Sequence, residues 1–313
     1  MFQQDPVTAY AVPFFVLFLF LELWVLRRQQ RELYPRADGV ASIGQGILAI
    51  PFDVALKVVA FAVFSWLYQF RLFTLDPASG WTWVALLLAD DLAYYLHHRS
   101  CHSVRLFWAG HVGHHSSQHY NFSVALRQGV GERLHKLLWW LWLPLVGFPP
   151  LAILTMMSAS LVFQFFLHTQ TVRRLGPLEW VLNTPSHHRV HHGSNVRYLD
   201  LNYGGILILW DRLFGTFTPE APEEPVVFGL THNLETRNAI TIATHEYVAI
   251  WRAMRSAPSW GDRLRYLLRP PGWSHDGSTQ TAAQMRAAAS GPTSVSSSAR
   301  AAVPAGALPR RAE

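Results

Sequence analysis

Cysteine is nearly absent from this chain: Cys101 stands alone in 313 residues. That excludes a disulfide framework and argues against a cysteine-rich structural zinc site. Lysine is almost as scarce, with Lys57 and Lys136 the only two, so the formal charge of +6 is carried by arginine. Those arginines flank apolar segments rather than interleave with polar ones, which points to a membrane surface and away from nucleic acid. The motif His-Glu-x-x-His is missing, which speaks against a zinc protease of that type. No cleavable signal is evident, because the first apolar run follows an acidic segment and lacks a small-residue cleavage site. What remains is apolar. With 50% hydrophobic residues, 13% aromatic residues and a mean hydropathy of +0.12, the composition suits a bilayer protein.

Against this background histidine is abundant. Thirteen of sixteen fall between Asp90 and His192, and most form three groups: His98 with His102; His111 with His114 and His115; His188 with His191 and His192. Residues three and four apart share a helix face, so each group is expected to direct two or three imidazoles at one point. Eight such nitrogens exceed what one metal with an open position needs. They suit two metals that share a site. His135, His232, His245 and His275 stand outside any ligand spacing and read as ordinary core or surface residues.

Hydropathy orders the rest. Residues 10–26 form a first membrane helix, and Arg27, Arg28, Arg31 and Arg36 after it mark the cytoplasmic side. A second apolar segment covers 43–70, where Asp53 and Lys57 are spaced to pair. A third, 81–98, returns to the cytoplasm with the first histidines on its inner end. Asp91 shares a stripe with His98 and His102 and is expected to hold a histidine or an arginine, the alternative being a salt bridge to Arg99 or Arg105. Residues 134–147 and 150–168 read as a helical hairpin that spans or dips part-way, so that every histidine group lies on the arginine-marked side. Residues 202–217 read as a turn and amphipathic helix over the metal site. Residues 252–269 suit a helix in the headgroup layer, or one packed on the domain. From 274 onward a disordered tail is expected. The division is then 1–80 membrane helices, 81–220 histidine domain, 221–273 interfacial extension and 274–313 tail.

Five stretches sharpen this picture: Tyr94-Tyr95-Leu-His-His98-Arg99; Trp108-Ala-Gly-His111-Val-Gly-His114-His115-Ser-Ser; Tyr120-Asn-Phe-Ser-Val-Ala-Leu-Arg-Gln128; the run from Gly176 through Asn183-Thr-Pro-Ser-His-His-Arg-Val-His-His192 to Gly193; and Trp210-Asp-Arg-Leu-Phe-Gly-Thr216. Over roughly residues 40–272 the chain resembles the fatty acid hydroxylase and sterol desaturase superfamily of membrane di-iron enzymes. Within it, the resemblance is to the ether-lipid-cleaving alkylglycerol monooxygenase branch. The resemblance implies metal ligands at His98, His102, His111, His114, His115, His188, His191 and His192, with His168 as a ninth. His97, His119 and His187 are additional histidines with space-filling or supporting roles. One position departs from the branch, which carries Glu after the second histidine where this chain has Ser103.

The resulting expectation is an all-α, multi-pass membrane helical bundle with a cytoplasmic, histidine-lined helical cap, in a bacterial inner membrane. Two iron ions would activate O2 reductively to attack a C–H bond of a membrane lipid. Electrons come from an external donor, since no flavin, haem or ferredoxin motif is present; tetrahydrobiopterin, the donor of the ether-cleaving branch, is one candidate. Ser103 sets ether cleavage beside hydroxylation of an aminolipid or acyl chain and beside sterol desaturation. A membrane metal-binding or transport protein is the reading from another class, although transport would place ligands near the bilayer midplane.

Overall fold

The computed structural model describes residues 6–29 and 35–290, and among these every regular element is helical, with two isolated β-bridges and no strand. Helices α1 (Pro6–Arg28) and α2 (Arg36–Tyr68) are long and apolar enough to cross a membrane. Both leave large apolar side chains uncovered, among them Phe14, Phe20 and Trp24 on α1 and Ile47, Val54 and Phe61 on α2. Each such side chain left in water forgoes roughly 1.5–3 kcal/mol. Contact with lipid would remove that cost. Arg31 of the arginine cluster lies outside the described residues.

The polar residues on these two helices serve as docking points. Glu22 of α1 is buried and accepts from the backbone N–H of Phe122 at 2.9 Å and from the Thr169 hydroxyl. Asp38 of α2 receives Arg127 and the Ser117 hydroxyl. Asp53 is taken by Arg133 in a two-pronged pair, and Lys57 reaches Ser158 Oγ. Tertiary partners thus engage the two residues whose spacing suggested a local pair, because a guanidinium fork matches a carboxylate better than one ammonium does.

Helix α3 (Gly80–Ser103) ends where Val104 turns extended, and α4 (Arg105–His115) begins at once. The apolar run 134–147 is not one helix. It divides into α5 (Val130–Lys136), a 3₁₀ turn (Leu137–Trp140) and α6 (Trp142–Val146). The tighter turn buries Trp140, whose indole N–H donates to Asp90 Oδ1 at 2.6 Å. Helix α7 (Pro150–Phe165) then packs against α2 and α3, with Phe64, Leu86, Leu143 and Ile153 in the shared core. Short helices α8 (Pro185–His191) and α9 (Leu209–Phe214) follow, then the longer α10 (Ala239–Ser256) and α11 (Trp260–Leu268).

The expected tail begins differently. Residues 274–290 form turns and helix α12 (Ala282–Ser290), with Arg286 bonded to the carbonyl of Leu199 and Thr281 held by Gln284. Small polar residues build no core of their own, yet these few contacts dock them onto one. Residues 291–313 lie outside the described residues.

Candidate metal centre

The end of α3 carries His98 and His102, α4 carries His111, His114 and His115, and α8 with its C-cap carries His188, His191 and His192. His168 follows the last turn of α7. The nine imidazoles meet in two groups, in each of which one donor atom per residue lies within 4.8 Å of all the others. One comprises His98, His102, His111, His115 and His191; the other His114, His168, His188 and His192. The three sequence groups therefore do not each converge on one point. Neighbours on a helix point about 100° apart, so the doublets split. The i, i+4 pairs 98/102, 111/115 and 188/192 stay together, while His114 and His191 cross to the other group. The groups share a wall, where His115 stacks on His192 with ring centroids 4.3 Å apart.

The hydrogen bonds behind the rings reveal what the pockets accept. His98 Nδ1 donates to the carbonyl of Tyr203 at 2.9 Å, and His111 Nδ1 to Glu132 Oε2 at 2.9 Å. His114 Nδ1 donates to Arg127 O at 3.2 Å, His168 Nδ1 to Gln164 O at 2.9 Å and His191 Nδ1 to Leu201 O at 2.9 Å. His102 Nδ1 faces Asp200 Oδ1 at 3.1 Å. Carbonyl and carboxylate oxygens only accept, so the proton sits on Nδ1 and Nε2 is a bare lone pair. Those lone pairs confront one another. His98 Nε2 is 3.0 Å from His111 Nε2, and His114 Nε2 is 3.2 Å from His168 Nε2. Two acceptors at this distance repel unless a cation lies between them. His102, His191 and His192 also present buried Nε2 atoms with no protein partner. The donor set fits metal ions, one to each group.

Burial keeps these imidazoles neutral. It pushes His102, His114, His115, His188 and His192 well below the ordinary imidazole range, and His191 down to about 3. A neutral imidazole is the form that binds metal, so no proton need leave before an ion enters.

Glu132 is the supporting residue that sequence reading missed. It sits in Gly-Glu-Arg-Leu-His-Lys, outside the three histidine groups, and only the packing of α5 on α4 brings it beneath His111. Two glycines permit that approach: a Cβ on Gly110 would stand 2.4 Å from Glu132 N, and one on Gly129 would stand 1.7 Å from Gly110 O. Ser103, where the resemblance led one to look for a carboxylate, instead turns its hydroxyl back to Arg99 O at 2.7 Å. A different helix thus brings a carboxylate to the histidines.

Asp91 holds neither a histidine nor an arginine. Its carboxylate accepts from the backbone N–H groups of Ile206 and Leu207 at 2.6 and 3.0 Å and from the indole of Trp210 at 3.1 Å. A buried carboxylate at a tight turn collects N–H donors, and these were nearer than any cation. Asp211 likewise accepts from Tyr203 N and Gly204 N at 2.8 and 2.7 Å. Together they fix residues 203–210, whose Tyr203 covers His98, His102 and His191. Among the additional histidines, His187 lies against Phe217, and the carbonyl of His119 accepts from Ser117.

A cavity of about 660 Å³ reaches the first group at His102, His115 and His191. Trp108, Asp200, His245 and Glu246 line it, and residues 271–285 complete its wall. Residues of the 221–273 segment and the start of the expected tail therefore border the first histidine group.

Comparison with known proteins bears on this geometry. The family model described as fatty acid hydroxylase matches residues 83–216. Alkylglycerol monooxygenase of Homo sapiens is 39% identical over 268 residues, which cover 84% of this chain and 59% of that protein. Its counterpart in Caenorhabditis elegans is 35% identical over 276 residues, covering 82% and 53%. Ornithine lipid hydroxylase OlsE of Rhizobium tropici is 30% identical over 132 residues, 42% of this chain and 40% of that one. The chain thus spans only part of the length of these relatives. No solved structure matches it.

Proposed function

We propose that the chain, whose residues 83–216 match the fatty acid hydroxylase family model, is a membrane di-iron oxygenase that hydroxylates a C–H bond of a lipid using O2 and an external reductant. The observation that carries the metal reading is the pair of bare lone pairs, His98 Nε2 against His111 Nε2 and His114 Nε2 against His168 Nε2. Imidazole suits iron as well as zinc, and the match to the fatty acid hydroxylase model favours iron. His98, His102, His111, His115 and His191 would hold one ion; His114, His168, His188 and His192 the other. Two ferrous ions, when bound, would supply the reductive activation of O2.

The chain's own residues do the rest. Tyr203 and the turn behind it shield the rings from water and hold three of them by contact. Glu132 and Asp200 fix the tautomers of His111 and His102. The uncovered faces of α1 and α2 keep the protein in the bilayer, where its substrate is dissolved. Trp260, Leu264 and Leu268 form an exposed apolar stripe on α11 beside arginines, which supports a headgroup-level position for the extension on the cytoplasmic side of an inner membrane.

For substrate we favour an alkylglycerol ether lipid, because the relatives of that name match over most of this chain. Hydroxylation at the carbon next to the ether oxygen would give an unstable hemiacetal that breaks to aldehyde and glycerol. The buried Glu132 weakens the objection raised by Ser103, since a carboxylate still adjoins the histidines. A second reading, hydroxylation of an ornithine-type aminolipid, is favoured by the shorter match alone.

The test is direct. Iron-loaded protein in lipid nanodiscs is given an alkylglycerol, a reductant and ¹⁸O2, and products are read by mass spectrometry. Aldehyde carrying one labelled oxygen supports the proposal; intact lipids of every class after many equivalents of reductant refute it. A labelled aminolipid product would select the second reading.

A further inference from the structure

A smaller cluster of ligand-type side chains lies outside the nine histidines. His97 and Cys101, one turn apart on α3, face His135 of α5, and one donor atom from each lies within 4.8 Å of the other two. His97 Nε2 is 3.5 Å from Cys101 Sγ. Around a tetrahedral cation with nitrogen at ~2.0–2.1 Å and sulfur at ~2.3 Å, adjacent N and S ligands stand roughly 3.5 Å apart. The two are thus already at ligand spacing. Glu132 Oε1 lies 3.9 Å from His97 Nε2 and precedes His135 by one helical turn, which puts a carboxylate on the fourth side.

An aromatic box is the competing explanation. His97 packs on Trp139 and Trp140, and His135 on Phe107. That accounts for the rings but not for their nitrogens. His97 is fully buried and its Nδ1 has no partner; both ring nitrogens of His135 are buried without partners as well. Buried polar atoms are almost always satisfied, and a metal bond to one His135 nitrogen would supply a partner that the protein does not. Lys136, the nearest cation on α5, is directed over the rings of Tyr94 and Trp140.

We propose that His97, Cys101 and His135, with Glu132 closing the set, bind a third metal ion, separate from the pair held by the nine histidines. A thiolate with two imidazoles and a carboxylate selects a zinc-like ion in a closed, structural site. Binding takes the proton from the Cys101 thiol to solvent and replaces the S–H bond by a metal–thiolate bond, with no change of oxidation state. The ion ties α5 to α3. It thereby fixes Glu132, whose other oxygen holds His111.

Cys101 is the only cysteine, so a thiolate signal can come from nowhere else. Full-length protein in detergent is stripped of metal and reloaded anaerobically with cobalt(II). The expected result is about three ions per chain and a near-ultraviolet thiolate-to-cobalt charge-transfer band, the absorption of a Cys-ligated tetrahedral site. Cys101→Ser, nearly isosteric, should abolish the band and lower the count by one, and His135→Gln, at a half-buried position, should do the same. A wild-type protein with no band overturns the proposal, as does a count that Cys101→Ser leaves unchanged. Failure of the nine-histidine reading looks different: the band persists, but with about one ion per chain.

Discussion

Glu132 Oε2 lies 2.9 Å from His111 Nδ1, on a helix that carries no residue of the three histidine groups. Removing that partner should weaken metal binding without unfolding the protein. Outer hydrogen-bond partners of ligating histidines typically contribute 10–100-fold in affinity. Glu132→Leu is expected at the upper end of that range. Glu132→Gln, which still offers an acceptor oxygen, should lie near the lower end. Competition with a chelator of known affinity gives both values, and equal affinities for wild type and Glu132→Leu would mean that the contact is incidental.

The same approach of helices makes Gly110 sensitive. A Cβ there would meet the backbone of Gly131 and Glu132, which cannot swing away as a flexible side chain can. Gly110→Ala should push α5 outward and copy the Glu132→Leu phenotype, with added destabilisation of about 1–3 kcal/mol from overpacking. Thermal melts together with metal content check it, and a variant that retains both refutes the packing argument.

The split of nine histidines into groups of five and four makes a stoichiometric prediction. His98→Ala should weaken iron binding in the first group, which keeps four histidines, and His168→Ala should empty the second, which keeps three, because each removes a ligand from only one pocket. Lipid oxidation should fall to background in both. Loss of both irons from either single variant would mean that the pockets load as one unit.

Asp91 binds three N–H donors, so its loss should loosen the turn and leave the metals in place. Each donor left buried and unpaired costs about 1–3 kcal/mol, and Asp91→Ala abandons three. Asp91→Asn keeps acceptor capacity and should cost less. The measurement is a denaturation midpoint alongside iron content. A normal midpoint with lost iron would return Asp91 to the role its helical stripe suggested.

Acid should destabilise the metal-free protein. The folded histidines have lowered pKa values, with His191 near 3, while in the unfolded chain they titrate near 6.5. As pH falls below about 6.5, the unfolded chain binds protons that the folded chain refuses. Stability is full above that range and declines toward pH 3, by up to about 1.4 kcal/mol per pH unit for each such histidine. Unfolding midpoints at a few pH values between 7.5 and 5 suffice. A flat profile would imply that these rings are solvated.

Residues 271–285 border the cavity that reaches His102, His115 and His191. Ending the chain at 270 should keep the iron but open that wall. KM for the reductant or the lipid should rise about tenfold, equivalent to ~1.4 kcal/mol of lost binding. Unchanged kinetics would show that neither reactant uses this route.

Much of this protein could be read from the order of its residues. Apolar runs of sufficient length marked α1 and α2, since crossing a membrane is a local property of about twenty residues. The i, i+4 spacings of 98/102, 111/115 and 188/192 marked pairs that stay together, since helical spacing alone decides which neighbours share a face. Only the tertiary structure could decide the partition. Whether His114 joins His115 or departs from it depends on where α7 and α8 arrive. Glu132 and the cluster of His97, Cys101 and His135 depend in the same way on how closely α5 approaches α3 and α4. So does Asp91, whose partners lie 115 or more residues away along the chain. Spacing constrains a few residues on one helix, whereas contact between helices is set by the packing of the whole chain, and no short window contains it.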